Sequence, residues 1–444
     1  CMVNKNDCVW GEEFFSTYMK HARNMSYKND ILHISGALSL VGQSLRDVYL
    51  RIDQQHIGCR IHPFIIQSSG TGKGSVFNLI NKVSRAADMP FEQEGTASTA
   101  GIMGTVKQNG EQREGELSGS GFVGWTEAQT LLKSADQTHS SDILEVMNMA
   151  MDPSGKVAKT LSGGKLEYES NTSIFCTTYD PEPNGQLELI RQGFLPRTLF
   201  FYRIMDEDFY DEVNEMRDEK VPRERDSHKN KVQDIDTDVQ KLANTLKYIE
   251  DTVWEHGVIH REDDTYYAAA KNHIDYFYVE PGVSLNPSSM MDKVLEDYSI
   301  DVRRKARVFK TRMMNKVYRI AACFAAVDYD EDNDIYVSRE VKKRHVDRAM
   351  EICKRSFKHT LEFIRDYSVA DSNNDLRDIQ MKVEAIARNN GGYASLKELM
   401  GETYKGKKEL KGSLATLVEM DKIKTKGKPI TTLDVEDKVA PAKQ

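Results

Sequence analysis

The run Gln67-Ser68-Ser69-Gly70-Thr71-Gly72-Lys73-Gly74-Ser75 constrains this chain more than any other, because it sets a lysine among glycines between an apolar stretch and a helical one. Ile61-His62-Pro63-Phe64-Ile65-Ile66 before it reads as a buried strand, and residues 76 to 86 after it read as a helix. Such a loop turns successive backbone N–H groups toward a polyphosphate, adds the positive end of a helix, and lets a lysine reach the β- and γ-phosphates. Ser69, Gly70, Thr71, Gly72, Lys73, Gly74 and Ser75 are therefore the expected nucleotide-binding residues, with ATP and Mg²⁺ as cofactors and Ser75 as the metal ligand. The run departs from the usual phosphate-loop pattern twice. Gln67 stands where the first glycine is expected, and Gly74 where a magnesium-binding hydroxyl is expected. A glycine turn with a chance lysine is the plainer alternative.

A phosphate loop alone does not separate a kinase from a motor, so its companions matter. Gly121 to Trp125 is an apolar strand that runs into Thr126 and Glu127, which places a carboxylate where it can polarise an attacking water. The acidic residue usual before that base is replaced by Thr126, and Glu127 would equally suit the start of a following helix. Ser173 to Thr178 is a strand ending in hydroxyls; Thr178, with Asp180 behind it, is placed to hold the lytic water or simply to cap a turn. Gly193-Phe194-Leu195-Pro196-Arg197 precedes another apolar strand, and a fixed Arg197 presented to a neighbour's nucleotide would stabilise transition-state charge. A surface ion pair is its ordinary fate.

Alternating residues on both sides of Gly163-Gly164 predict a β-hairpin over 156 to 168. Lys165 beside its tip, and Lys159, are candidates to grip nucleic-acid phosphates, as is Lys107 in the polar projection from 106 to 116; a solvated surface hairpin is the bland alternative. Near the C-terminus a helical stripe (Leu376, Ile379, Val383, Ile386), a Gly391-Gly392 turn, two further helices and a lysine-rich two-stranded wing over 422 to 430 read as a winged helix.

The segments Thr99 to Thr105, Gly115-Glu116-Leu117 and the Glu127 strand together resemble the core of AAA+ replicative helicases of the minichromosome-maintenance-like group. They are also similar to the helicase part of phage and plasmid primase–polymerase–helicase proteins. The resemblance implies that Glu127 is the Walker B base, the strand tip near Thr178 sensor 1, and Arg197 the arginine finger. It further implies that Arg312, at the head of the helix from Met313 to Ala321, is sensor 2, and that the 156–168 hairpin projects into a ring channel. It is departed from at Gln67, Gly74, Thr126 and the missing sensor-1 asparagine. The Gly74-Ser75 pair also resembles the Gly-Lys-Gly-Thr loop of adenylate kinases, but no arginine-rich lid follows it.

The expected fold is α/β: a P-loop ATPase core of the AAA+ kind (56–205) behind N-terminal helices (1–55), followed by a charged insert and helical lid (206–370) and a winged helix with a tail (371–444). Asp371 to Asn374 is the expected linker. With 444 residues, 39% hydrophobic and 29% charged, the chain has the length for several cores and no apolar run long enough to span a bilayer. Its six cysteines are scattered without a CxxC pair, which suits reduced thiols and a cytoplasmic setting. The formal charge of −8 argues weakly against nucleic acid, but lysines gather between 405 and 428. A start at Cys1 predicts a piece of something longer, such as the helicase part of a phage- or plasmid-encoded primase–polymerase in a prokaryotic host.

The expectation is thus an ATP-driven ring helicase or translocase on single-stranded or forked DNA, working as a homo-oligomer, with six subunits favoured, and not in a membrane. An ATP-gated origin initiator or helicase loader is the alternative. A nucleotide kinase is the weakest reading, since it leaves the winged helix without a purpose.

Overall fold

The structure, a computed structural model, describes residues 3–25, 30–52, 55–68, 70–94, 99–107, 109–119, 121–126, 128, 141–152, 155–161, 164–179, 193–203, 210–211, 214–215, 225–254, 260–262, 265–267, 277–330, 335–338, 340–403, 406–420, 422–426, 432, 434 and 436–442. The chain forms two compact units, Cys1–Ile364 and Arg365–Gln444.

In the first unit, helices α1 (Glu12–Met25) and α2 (Asp30–Ser44) precede strand β1 (Pro63–Gln67), helix α3 (Lys73–Ala86) and strand β2 (Phe91–Glu94). A hairpin of β3 (Gly104–Val106) and β4 (Gln112–Glu114) comes next, then β5 (Phe122–Trp125) and α4 (Ser141–Met151). A second hairpin, β6 (Lys156–Leu161) with β7 (Gly164–Glu169), leads to β8 (Ser173–Thr178), the single-turn helix α5 (Phe194–Arg197) and β9 (Leu199–Arg203). The long helices α6 (Arg225–Trp254), α7 (Lys310–Ala326) and α8 (Lys343–Asn389) follow.

Five of these strands form one parallel sheet in the order β9-β1-β8-β5-β2. Parallel strands are covered on both faces, which is why β1, β5 and β8 read as continuous apolar runs and are buried along their whole length. The fold of this unit is therefore mixed α/β, as expected. Buried Val76, Phe77, Leu79, Ile80 and Val83 give α3 its apolar stripe, and Gly124 of β5 admits the Phe77 ring because it has no Cβ. Helix α2 is buried nearly all round, and its Ser35, Ser39 and Ser44 hydroxyls donate to carbonyls one turn back, so burial leaves them satisfied. The outer edge of β9 is closed by α8: Ser356 Oγ donates to Phe200 O at 2.7 Å, and the Tyr202 amide donates to His359 Nδ1 at 3.1 Å.

The second unit has its own core of Ile379, Val383, Leu396, Leu399, Leu410, Leu414, Leu417, Ile423 and Val439. It comprises the end of α8, strand β10 (Ala394–Ser395), helices α9 (Leu396–Thr403) and α10 (Lys407–Glu419), and strands β11 (Ile423–Thr425) and β12 (Lys438–Pro441). The sheet is antiparallel, in the order β10-β12-β11. Ser395 and Glu398 form a reciprocal cap: Ser395 Oγ accepts from the Glu398 amide at 3.2 Å, while Glu398 Oε2 accepts from the Ser395 amide at 2.9 Å.

One sequence expectation is corrected. Asp371 to Asn374 is not a linker but lies inside α8, because a polar run without proline or glycine leaves a helix unbroken. The strand at 423–425 pairs with 438–441; residues 427–431, the other half of the expected wing, lie outside the described residues. The pairing follows from Val439, which joins Ile423 in the core. Among the described residues no helix is long and apolar enough to cross a membrane.

Candidate functional site

The glycine-rich loop lies at the carboxyl end of β1, where α3 begins. Gly70 and Gly72 both adopt left-handed backbone (φ 78° and 80°), the conformation that a tight phosphate loop demands and that glycine takes without strain. Gly72 is the residue before α3, so the loop ends on the first turn of a 14-residue helix whose positive dipole end faces it. Lys73 Nζ donates to Gln67 O at 2.6 Å and Ser68 O at 2.7 Å, holding its charge inside the loop. Ser75 Oγ donates to Gly72 O, and a turn about χ1 would free it. A Cβ on Gly74 would meet nothing within 4 Å, so the missing hydroxyl leaves open space. Thr71 is buried and its hydroxyl donates to Ser68 O at 2.7 Å, which makes it a loop brace. Gln67, also buried, donates from Nε2 to Thr71 O at 3.4 Å. Ser69 lies outside the described residues.

Because the strands are parallel, Trp125 of β5, Thr178 of β8 and Arg203 of β9 end on the same sheet edge as Gln67. Thr178 is fully buried and its hydroxyl donates to Tyr179 O at 3.4 Å; its neighbour Thr177 donates to Thr126 O at 3.0 Å, joining the tips of β8 and β5. Thr126 marks where Glu127 leaves β5, but Glu127 itself, like Asp180, lies outside the described residues.

Arg197 and Arg312 come together at the opposite edge. Leu199 is level with Pro63, the first residue of β1, so α5 stands at the amino end of the strands. Arg197 grips Asp152 with both arms of its fork, Nε to Oδ1 at 2.8 Å and Nη2 to Oδ2 at 3.2 Å, and donates from Nη1 to Gly193 O at 2.9 Å. Arg312 Nη1 reaches the same Oδ1 at 3.2 Å. Two buried guanidiniums stand behind them: Arg60 Nη2 donates to Ala150 O at 3.1 Å and Arg319 Nη2 to Met151 O at 3.4 Å. Burial lowers both to about 10, aided by Arg319 at Arg60 and by Arg312 and Arg197 at Arg319, so both stay charged at neutral pH. From Pro63 to Gln67 the strand rises about 13 Å at ~3.3 Å per residue, so Arg197 does not reach the phosphate loop of its own chain.

The two hairpins lie side by side. Gln112 Nε2 donates to Lys165 O at 3.0 Å, and a Cβ on Gly164 would fall 3.3 Å from Val106 Cγ1. Each expected nucleic-acid contact is already paired with a carboxylate: Lys107 with Glu111 at 2.9 Å, Lys159 with Glu145 at 3.2 Å, and Lys165 with Glu167. Lys159 is only 16% exposed against 62% for Lys165, so the hairpin offers solvent one of the two lysines well.

The geometry thus gathers the loop residues and the strand tips at one edge and Arg197 with Arg312 at the other. Sequence reading missed Asp152, Arg60 and Arg319, for which the only local signal was the Asp152-Pro153-Ser154-Gly155 turn. Among the described residues no group of three or more histidine, cysteine or acidic side chains is placed to hold a metal ion. Neither a family model nor a curated protein matches the sequence.

Proposed function

We propose that this chain is an ATP-hydrolysing motor subunit of the AAA+ kind, acting in a ring that translocates along DNA and unwinds it. The observation that carries the reading is the division of labour between sheet edges: a lysine-bearing glycine loop at one, paired arginines at the other. Such a division makes sense where nucleotide is held between two copies of the chain, one giving Lys73 and the next giving Arg197 and Arg312.

The loop fits a polyphosphate: Gly70 and Gly72 are left-handed, its lysine is held ready by two carbonyls, and a long helix begins just after Gly72. Bound ATP with Mg²⁺ would supply the phosphoryl group and the metal charge that offsets its oxygens. Lys73 would turn from Gln67 and Ser68 toward phosphate, Ser75 would release Gly72 O to face the metal, and Glu127 would take the proton of the attacking water. The second unit, three helical segments with a three-stranded antiparallel sheet, supports a winged helix. A cytoplasmic setting, a hexamer and a place in a larger primase–polymerase protein belong to the same proposal.

One observation favours a second reading, an ATP-gated initiator or loader. Carboxylates pair with Lys107, Lys159 and Lys165, so the hairpins carry less free positive charge than a DNA-gripping pore would use. ATPase rate with and without single-stranded DNA, followed by unwinding of a forked duplex, tests both. A motor is stimulated and opens the fork; a loader hydrolyses and leaves the fork closed.

A further inference from the structure

The centre at the amino edge contains a residue that the motor reading does not use. Asp152 is the first residue after α4, and four guanidinium groups surround the last turn of that helix: Arg60 on Ala150 O, Arg319 on Met151 O, and Arg197 with Arg312 on the Asp152 carboxylate. Among the described residues no second carboxylate is hydrogen-bonded to any of them. Counting Asp47, which acts electrostatically on Arg60, four positive charges meet two negative ones and the carbonyl end of α4, and Arg312 is 34% exposed. Two like-charged guanidiniums are held side by side only because each takes Asp152 Oδ1, at 2.8 and 3.2 Å.

The same residue starts the second hairpin. The Gly155 amide donates to Asp152 O at 2.9 Å, and the Ser170 amide donates to Gly155 O at 2.8 Å, tying the turn to the end of the hairpin. Gly155 has φ 59°, and a Cβ there would fall 2.4 Å from Ser170 O, so the position requires glycine. One residue therefore holds the two guanidiniums by its side chain and the base of β6 and β7 by its backbone.

We propose that Asp152 is the positioning residue of the arginine centre: it aims Arg197 and Arg312 as a pair at an adjacent copy's nucleotide and joins their position to that of the β6–β7 hairpin. The inference rests on the ATPase reading above. A triphosphate presented by the neighbour competes with Asp152 for the two guanidiniums. Its binding loosens the carboxylate, and its loss restores the grip.

The test uses the full chain with ATP, with and without single-stranded DNA. Asp152→Asn keeps the shape and removes the charge; kcat is expected to fall about 100-fold, the cost of a misaligned catalytic group, with nucleotide affinity at the Lys73 loop unchanged and DNA stimulation lost. Mixing equal amounts of Asp152→Asn, about 100-fold slowed alone, and Lys73→Ala, inactive alone, is expected to restore about a quarter of the wild-type rate. That share of neighbour contacts pairs an intact loop with an intact arginine centre. A side chain that only stabilised its own fold would give no such rescue. Wild-type turnover and DNA stimulation in a folded Asp152→Asn chain, or a mixture no faster than its parents, overturns the proposal. If Asp152→Asn does not fold, Asp152→Glu carries the test: the charge remains but the fork is displaced, and an unchanged kcat overturns it equally. A wild-type chain that does not hydrolyse ATP removes the ATPase reading itself.

Discussion

The side-chain amide of Gln67 spans the base of the glycine loop to the carbonyl of Thr71, 3.4 Å away, with both residues buried. The residue standing in place of a glycine is thus an internal strut, and the loop keeps its curvature from Gly70 and Gly72 alone. Gln67→Ala is expected to lower folding stability by about 1 kcal/mol, the value of a buried hydrogen bond, and to weaken nucleotide binding less than tenfold. Lys73→Ala is expected to abolish binding with little loss of stability. Urea melts and titration with a fluorescent ATP analogue separate the two; equal effects from both changes would contradict the strut.

Gly193 is needed for conformation and for space. Its φ is 78°, and a Cβ would sit 2.8 Å from Arg197 Nη1. Gly193→Ala is expected to cost about 1 to 2 kcal/mol through left-handed strain and to push the guanidinium off Asp152. A thermal or urea midpoint within error of wild type would show that the backbone relaxes without strain.

Acid sensitivity should begin near neutrality. His62 is buried with Nδ1 accepting from the Ile174 amide at 3.1 Å, and burial, aided by Arg60 and Arg319, holds its pKa well below 6.5. Above pH 6.5 the folded and unfolded chains are both neutral at this residue. Below it the unfolded chain takes a proton that the folded chain refuses, so stability falls with pH, by up to about 1.4 kcal/mol per unit. His359, also lowered chiefly by burial, adds in the same direction. His62→Gln, whose oxygen can accept the Ile174 amide without titrating, is expected to reduce the slope between pH 6.5 and 5 by about one proton. Unfolding free energies at pH 7, 6 and 5 provide the check, and an unaltered slope would exclude His62 as its source.

If the second hairpin touches DNA, its two lysines differ. Lys165→Ala is expected to reduce single-stranded DNA affinity and to shrink the slope of log K against log salt by about one ion. Lys159→Ala, which removes a mostly covered lysine paired with an exposed Glu145, is expected to show less in affinity than Lys165→Ala. Binding isotherms at three salt concentrations distinguish them, and identical effects would remove the hairpin from the DNA path.

The parallel sheet was legible because strands buried on both faces carry unbroken apolar runs, such as Phe64-Ile65-Ile66 and Ile174-Phe175-Cys176, between glycine and hydroxyl punctuation. The loop at Lys73 was legible for the same local reason. What escaped depends on contacts far apart in sequence. Asp152 meets Arg197 across 45 residues and Arg312 across 160, and no local pattern announces such a pair. The continuity of α8 through Asp371–Asn374 was hidden because polarity was read as flexibility, although only glycine or proline would have broken the helix. Val439 was missed as a core residue because it stands alone in a polar tail.

The separation of Lys73 from Arg197 by the length of one strand also bears on stoichiometry. If each reaction centre is shared, a solitary copy is silent, and output per molecule climbs with concentration until rings are full. Dilution would then act as an off-switch built into the sheet, with no inhibitor and no change of shape required.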